Sequence, residues 1–542
     1  MSPVAEFGRL NSERQPLLES RNDQSLPQVF SPTDINTEYN DTLPGGDPGK
    51  TLSWTSAYIL VVSRVIGSGI FATPGSIVKS AGSVGLTLLV WLAGTIVAAC
   101  GLAVSLELGC LLPKSGGDKV YLERAYPRPK YLASTLIAVH AVVLGFTASN
   151  CIVFAKYSIF ALHIEASDFQ QKLLAVALLT TITIIHGFFL RPGIWIQNVL
   201  GWLKLFVIGA VSIIGAAIIA LRIFDSGTEP ISGEQTRGVV SWDTLWEGSN
   251  WSWSLLSTAI FKVFYSYAGL TNMNNVMSEV KDPVRTLKTV GPTALITSGA
   301  LYFLANASYL LVIPIDEIKE GGELVGALLF ERVFGQHFGR TLFPLAIALC
   351  AGGNVMVVTF AMARINQEIA KQGFLPWQGW VGSSRPFGTP LGALIVHYVP
   401  SFLVITLPPQ KDVYNFILDV EAYPGQLVAL GVTVGLLVLR YREPNRFRPY
   451  KAWLPAVWLR IVFCIILLVT PWIPPPKWQG DVDFFYATYA VVGLAIILLA
   501  VVYWYVWTVY LPRRGGYILE EQEETLKDGT SIIRLVRVHN AL

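Results

Sequence analysis

Charge is what this chain most conspicuously lacks: 14% of its 542 residues are Asp, Glu, Lys or Arg, where a soluble globular chain carries about a quarter. With 52% hydrophobic residues beside it, that shortage excludes disorder as the main state, excludes a collagen-like fibre, and argues against a soluble enzyme. Cysteine is scarce as well. All five (Cys100, Cys110, Cys151, Cys350, Cys464) lie inside apolar stretches, so neither a disulfide framework nor a disulfide-linked second subunit is expected. The six histidines are scattered, with no His-Glu-x-x-His, no P-loop and no His/Cys cluster at metal-ligand spacing; no metal, no cofactor and no enzyme activity are expected. A net charge of +3 gives no footprint for nucleic acid. The first fifty residues lack the apolar core of a cleavable leader, so the first apolar stretch is expected to act as its own insertion signal.

Long apolar runs are what the chain has instead, with a mean hydropathy of +0.50. They fall at about 53–79, 84–111, 131–162, 171–190, 195–222, 251–277, 291–313, 341–363, 389–407, 413–439, 452–473 and 483–511. Runs of this length read as membrane helices. The expected fold class is an all-α polytopic membrane protein of 12 transmembrane helices, flanked by a disordered tail (1–50) and a second polar tail (512–542). Alternation in 531–538 suggests a short strand or helix docked on the inner surface. If the amino terminus is cytosolic, inner segments hold about 27 Lys and Arg and outer loops about 9, so both termini are expected to be cytosolic.

Two runs are broken in the middle. The first reads Val61-Val-Ser-Arg-Val-Ile-Gly-Ser-Gly-Ile-Phe-Ala-Thr-Pro-Gly75 and the sixth Phe264-Tyr-Ser-Tyr-Ala-Gly-Leu-Thr-Asn-Met-Asn-Asn-Val276. Glycine is costly in a helix, and unwound backbone survives in a membrane only against protein or a watery cavity. The breaks open successive five-helix sets, 51–222 (helices 1–5) and 251–440 (helices 6–10), separated by an outer loop at 223–250 and followed by an inner loop and two more helices at 441–511. Breaks in corresponding places point to a transporter site between inverted repeats. A helix restarting near Ile70 offers free N–H groups and a positive dipole end to a carboxylate. Carbonyls freed at Tyr265, Ser266 and Tyr267 suit an ammonium. The alternative for Gly67-Ser68-Gly69 alone is close helix packing by small residues.

Ile66-Gly-Ser-Gly-Ile-Phe-Ala-Thr-Pro74, Glu107-Leu-Gly109, Pro113-Lys-Ser-Gly-Gly117, Ser278-Glu279, Asp282-Pro283 and Arg364-Ile-Asn-Gln-Glu-Ile-Ala-Lys-Gln-Gly-Phe-Leu-Pro376 resemble the L-type amino-acid transporter branch of the amino acid–polyamine–organocation superfamily. Within it the wording resembles the fungal methionine permeases, over about residues 51–511. The resemblance implies a LeuT-type 5+5 inverted repeat with discontinuous helices 1 and 6, and proton-linked uptake of neutral amino acids. It implies that Ile66, Gly67, Ser68, Gly69 and Ile70 contact the substrate carboxylate, and that Tyr265, Ser266, Tyr267, Ala268 and Gly269 hold the ammonium and gate the site. Tyr265 stands where relatives often carry phenylalanine and Leu270 where many carry tryptophan, which leaves the pocket's size open. Residues 163–170 lack the cysteine that animal L-type transporters use to join a glycoprotein subunit, so a chain without a disulfide-linked heavy subunit is expected.

Charges inside a membrane are functional candidates by default. Lys204 stands where related proton-linked carriers place a lysine and sodium-linked cousins bind a cation; it is expected to bridge helices 1 and 8 and to couple transport to protonation. Arg64 and Glu107 are candidates for an inner gate, or Glu107 for a static anchor. Glu279 reads as structural, Asp419 and Glu421 as lining the outer pathway, Asn150 and Asn354 as pocket polar groups or interhelical bonds, and Lys156 and Lys262 have no defined role. Neither break holds an acidic side chain, which favours a neutral, apolar substrate side chain: methionine first, then cysteine or the branched aliphatics, which a hydrophobic pocket separates weakly. An exchanger, or an amino-acid sensor without net transport, would show the same site. Partners expected are therefore the amino acid, a proton and membrane lipid. Glu13, Leu17 and Leu18 resemble an acidic dileucine signal read by sorting adaptors, which sets an endosomal or vacuolar membrane beside the plasma membrane as the destination.

Overall fold

The structure, a computed structural model, describes residues 53–114, 116–224, 242–275, 277, 280–384, 388–408, 413–474, 485–525 and 531–539. Its principal helices are α1 (Trp54–Val65), α2 (Gly69–Ala72), α3 (Pro74–Ala81), α4 (Val84–Leu111), α5 (Asp118–Ala125), α6 (Leu132–Leu144), α7 (Ala148–Ala161), α8 (Asp168–Phe188) and α9 (Leu190–Phe224). They continue as α10 (Trp253–Ser266), α11 (Pro283–Val312), α12 (Ile315–Gly321), α13 (Val325–Phe338), α14 (Leu342–Lys371), α15 (Leu391–Thr406), α16 (Val413–Arg442), α17 (Leu454–Val469) and α18 (Thr488–Tyr505). Among the described residues, ten helical segments are long and apolar enough to cross a membrane. Two of the expected twelve runs are shorter: 251–277 contains the 14-residue α10, and 389–407 contains the 16-residue α15.

Local chemistry sets the ends. Ser83 accepts the Leu86 N–H at the start of α4, and Ser167 with Gln170 forms a reciprocal capping box at the start of α8, each satisfying donors that a helix's own ladder leaves over. Pro74 opens α3, where its missing N–H costs nothing. Gly82 closes it at φ +83°, and a Cβ there would meet the Gly248 carbonyl at 2.2 Å. Large apolar side chains such as Leu92, Phe206, Ile213, Ile296 and Leu498 stand more than half exposed. A soluble monomer rarely exposes so many large apolar side chains on its helices; hydrocarbon is their natural solvent.

The C-terminal alternation at 531–538 does form a strand. β1 (Tyr517–Thr525) and β2 (Ser531–His539) pair antiparallel, Tyr517 opposite His539 and Glu521 opposite Leu535. The Leu535 N–H donates to the Gln372 carbonyl (3.1 Å), and its buried side chain packs on Ala138, Ile369 and Phe374. This marks one end of the bundle, the hairpin face; α6 and α7 run away from it toward the far face, and α14 runs back. The tail at 1–50, with Glu13, Leu17 and Leu18, and the pair Ser278-Glu279 lie outside the described residues.

Candidate substrate site

Both breaks are real features of the backbone. α1 ends at Val65, Ile66 is extended (φ −74°, ψ 93°), and helix resumes at Gly69 after Gly67 and Ser68. α10 ends at Ser266; turns follow, with a 3-10 turn at Asn272–Asn275 and no further α-helix among the described residues before α11. Gly269 takes φ +107°, a conformation that L side chains rarely adopt, and three nearby asparagines compete with the helical ladder.

The two breaks touch. A Cβ on Gly69 would lie 2.9 Å from Ser266 Oγ and 3.2 Å from Tyr265 Cδ1, so glycine is what permits the approach. Thr73 Oγ1 donates to the Gly69 carbonyl (2.9 Å) and lies 3.3 Å from Ser266 Oγ. The Tyr302 hydroxyl, on α11 and fully buried, lies within hydrogen-bonding distance of a carbonyl at each break, Val65 (2.8 Å) and Ser266 (2.7 Å), and its single proton is shared between them. Ala268 N–H takes the Tyr265 carbonyl (3.1 Å) and Leu270 N–H the Tyr267 carbonyl (3.5 Å). Each of these oxygens keeps lone-pair capacity for a further donor.

A polar chain runs beside the first break. Ser68 Oγ donates to Asn150 Oδ1 (2.6 Å); Asn150 Nδ2 reaches the Tyr265 hydroxyl (3.4 Å), which also meets Ser149 Oγ (3.1 Å). Asn354 Nδ2 donates to the same Asn150 oxygen (3.3 Å). Lys204 Nζ donates to Asn354 Oδ1 and to the Ser63 carbonyl (3.2 Å), and so spans the end of α1 and the middle of α14. A Cβ on Gly67 would stand 2.7 Å from Asn354 Nδ2. The site therefore joins α1–α2, α7, α9, α10, α11 and α14 through uncharged groups and one lysine.

Other expected site residues divide. Arg64 leans on the second break, its Cγ 2.5 Å from where a Gly269 Cβ would be, and its charge and that of Glu421 on α16 attract one another. Glu107 is elsewhere. Fully buried at the hairpin end of α4, it is held by Arg440, by Arg448 (3.2 Å) and by the Ala452 N–H (2.7 Å). These contacts tie Glu107 to the chain around Arg440–Ala452 and do not bring it to Arg64. Asp419 and Lys262 are buried at 1% and 0% exposure. Lys156 pairs with Glu323 at 2.8 Å. All five cysteines are buried and free. Tyr302, the residue joining the two breaks, was not singled out in the sequence, where it sits in an ordinary apolar run.

A multi-span membrane protein in which the non-helical stretch after α1 meets the one after α10 is the class that these observations define. Residues 52–512 match the family model described as amino acid permease. The chain is 32% identical to a low-affinity methionine permease of Saccharomyces cerevisiae over 495 residues, covering 90% of this chain and 88% of that protein. It is 30% identical to a high-affinity methionine permease of the same yeast (91% and 85% covered) and 25% identical to a human b(0,+)-type amino acid transporter 1 (86% and 90% covered). The chain belongs to the amino acid permease family, within the amino acid–polyamine–organocation superfamily. It is an integral, multi-pass membrane protein whose kin are transporters, not enzymes.

Proposed function

We propose that this chain is a secondary active transporter of neutral L-amino acids, methionine foremost, working by proton symport and alternating access. The observation that carries the reading is the meeting of the two breaks at Gly69 and Ser266. The restarting helix from Gly69 turns amide donors toward a carboxylate, while the second break offers carbonyl lone pairs to an ammonium. No acidic side chain lies in residues 66–70 or 265–269, so the zwitterion is matched by backbone dipoles, and cysteine or branched aliphatic substrates compete with methionine only by pocket fit. The names of the two yeast relatives support methionine. Ile66, Gly67, Ser68, Gly69 and Ile70 hold the carboxylate end, and Tyr265, Ser266, Tyr267, Ala268 and Gly269 hold and gate the ammonium end.

In this reading the chain is organised as twelve helices in two inverted five-helix repeats plus two, with both termini cytosolic and the plasma membrane as its site. Lys204 couples protonation to the cycle: its ammonium ties α1 to α14, and loss of its proton turns two charge-assisted bonds, to Asn354 and Ser63, into weaker neutral ones. The test is uptake by liposomes containing the purified chain under an imposed inward proton gradient. Methionine accumulation abolished by a protonophore, and made insensitive to pH by Lys204→Met, is expected. Gradient-independent counterflow, or preference for lysine, would overturn the symport or the pocket reading respectively.

A further inference from the structure

At the far face a short cap lies over the first broken helix. It consists of α12 and the 3-10 turn Gly322–Leu324. Gly322 turns the chain at φ +52° between the two. The cap rests directly on α3: a Cβ on Gly75 would be 2.2 Å from the Gly322 carbonyl oxygen and 3.0 Å from that of Ile318. Glycine at 75 thus allows backbone to sit on backbone.

The same cap is tied sideways to α7. Lys156 Nζ and Glu323 Oε2 are 2.8 Å apart, with side chains 19% and 12% exposed. Next to Lys156, the Tyr157 hydroxyl donates to the Phe71 carbonyl (3.0 Å) in α2. One turn of α7 therefore grips both the restarted half of the first helix and the cap above it. A cavity of about 390 Å³ opens at this end, bordered by Lys156, His163, Glu165, Glu323 and Arg340. It is polar, so water is available to receive the two charged groups once they part.

We propose that the Lys156–Glu323 ion pair is the latch that holds the cap closed over the broken-helix site at the far face. The pair is positional: neither residue touches the breaks themselves. With four-fifths or more of each side chain covered, the lysine and the carboxylate are partly desolvated, a cost that their contact offsets while the cap is down. Removing one partner leaves the other charge uncompensated in the closed state only, so either single neutralisation shifts the balance toward the open cap. This goes beyond the transport reading, resting on it only for what the site carries.

The test is labelling of a reporter cysteine, Ser76→Cys, by a membrane-impermeant maleimide in reconstituted liposomes. Ser76 is on α3, one residue from the contact with Gly322, and is 5% exposed. The unsubstituted chain gives the background from its five buried cysteines. Lys156→Gln and Glu323→Gln should each raise the labelling rate about tenfold, between the effects of exposed and buried pairs. The swapped pair, Lys156→Glu with Glu323→Lys, should return it toward the starting rate. Unchanged labelling in both single variants overturns the proposal, as does a swapped pair labelled as fast as the singles. Labelling needs no transported substrate, so a chain that labels as expected yet moves no amino acid would refute the transport reading and leave the latch standing.

Discussion

Gly67→Ala puts the most demanding question to the site. The new methyl carbon would stand 2.7 Å from Asn354 Nδ2, closer than carbon and nitrogen approach, and Asn354 must turn away. Turning costs it the bond to Asn150 and the charged bond from Lys204. A neutral hydrogen bond contributes about 1 kcal/mol and a charged one about 2; a loss of about 3 kcal/mol corresponds to roughly 100-fold in a binding constant. Gly67 lies in the break and not in a helix, so alanine's better helix propensity brings no offsetting gain. The expected result is folded, well-expressed protein with methionine binding weakened about 100-fold, measured by equilibrium binding in detergent. Gly209→Ala, where nothing lies within 4 Å of the added carbon, should bind like the parent. Parental binding in Gly67→Ala would refute the assignment of this break to the substrate.

Three further outcomes follow from the same contacts. Tyr302→Phe removes the one proton shared between the Val65 and Ser266 carbonyls; the tie between the two breaks is lost, and uptake should fall by about tenfold in the liposome assay. Glu107→Gln leaves Arg440 and Arg448 facing a neutral partner, so the thermal midpoint should drop by several degrees with little change in substrate affinity. At Glu443, burial works to raise the carboxyl's affinity for protons, but hydrogen bonds and charge from Arg446 and Arg124 outweigh it and hold the group below its ordinary value of 4.5. The stability from these contacts is therefore present above pH 4.5 and lost as pH falls through the depressed value. The difference in thermal midpoint between the parent and Glu443→Gln should shrink on acidification; a difference that persists would contradict the sign.

Much of the site was legible because its chemistry is local. Gly67-Ser68-Gly69 and the run of asparagines after Tyr265 are written in consecutive residues, at a depth where lipid tolerates neither. Lys204 stood out as a charge in an apolar run. What was hidden depends on contacts distant in sequence. Tyr302 joins the breaks from 237 residues beyond one and 36 beyond the other, and a tyrosine in an apolar helix has many ordinary uses. Asn150 and Asn354 share the ambiguity of every interhelical polar group; in the structure both belong to the polar chain beside the first break. Arg440 and Arg448 pair with Glu107 from 333 and 341 residues away, a contact that no local pattern reveals. In the tail, alternation marked the strand 531–538, whereas its partner, Glu-rich at 520–524, read as plain polar chain.

The central claim, that backbone groups at two broken helices grip both charges of an amino-acid zwitterion, is tested most directly by binding of three ligands to the purified chain. Methionine should bind, while its methyl ester, lacking the carboxylate, and its N-acetyl form, lacking the ammonium, should each bind at least 100-fold more weakly. Retained affinity for either blocked form would contradict it.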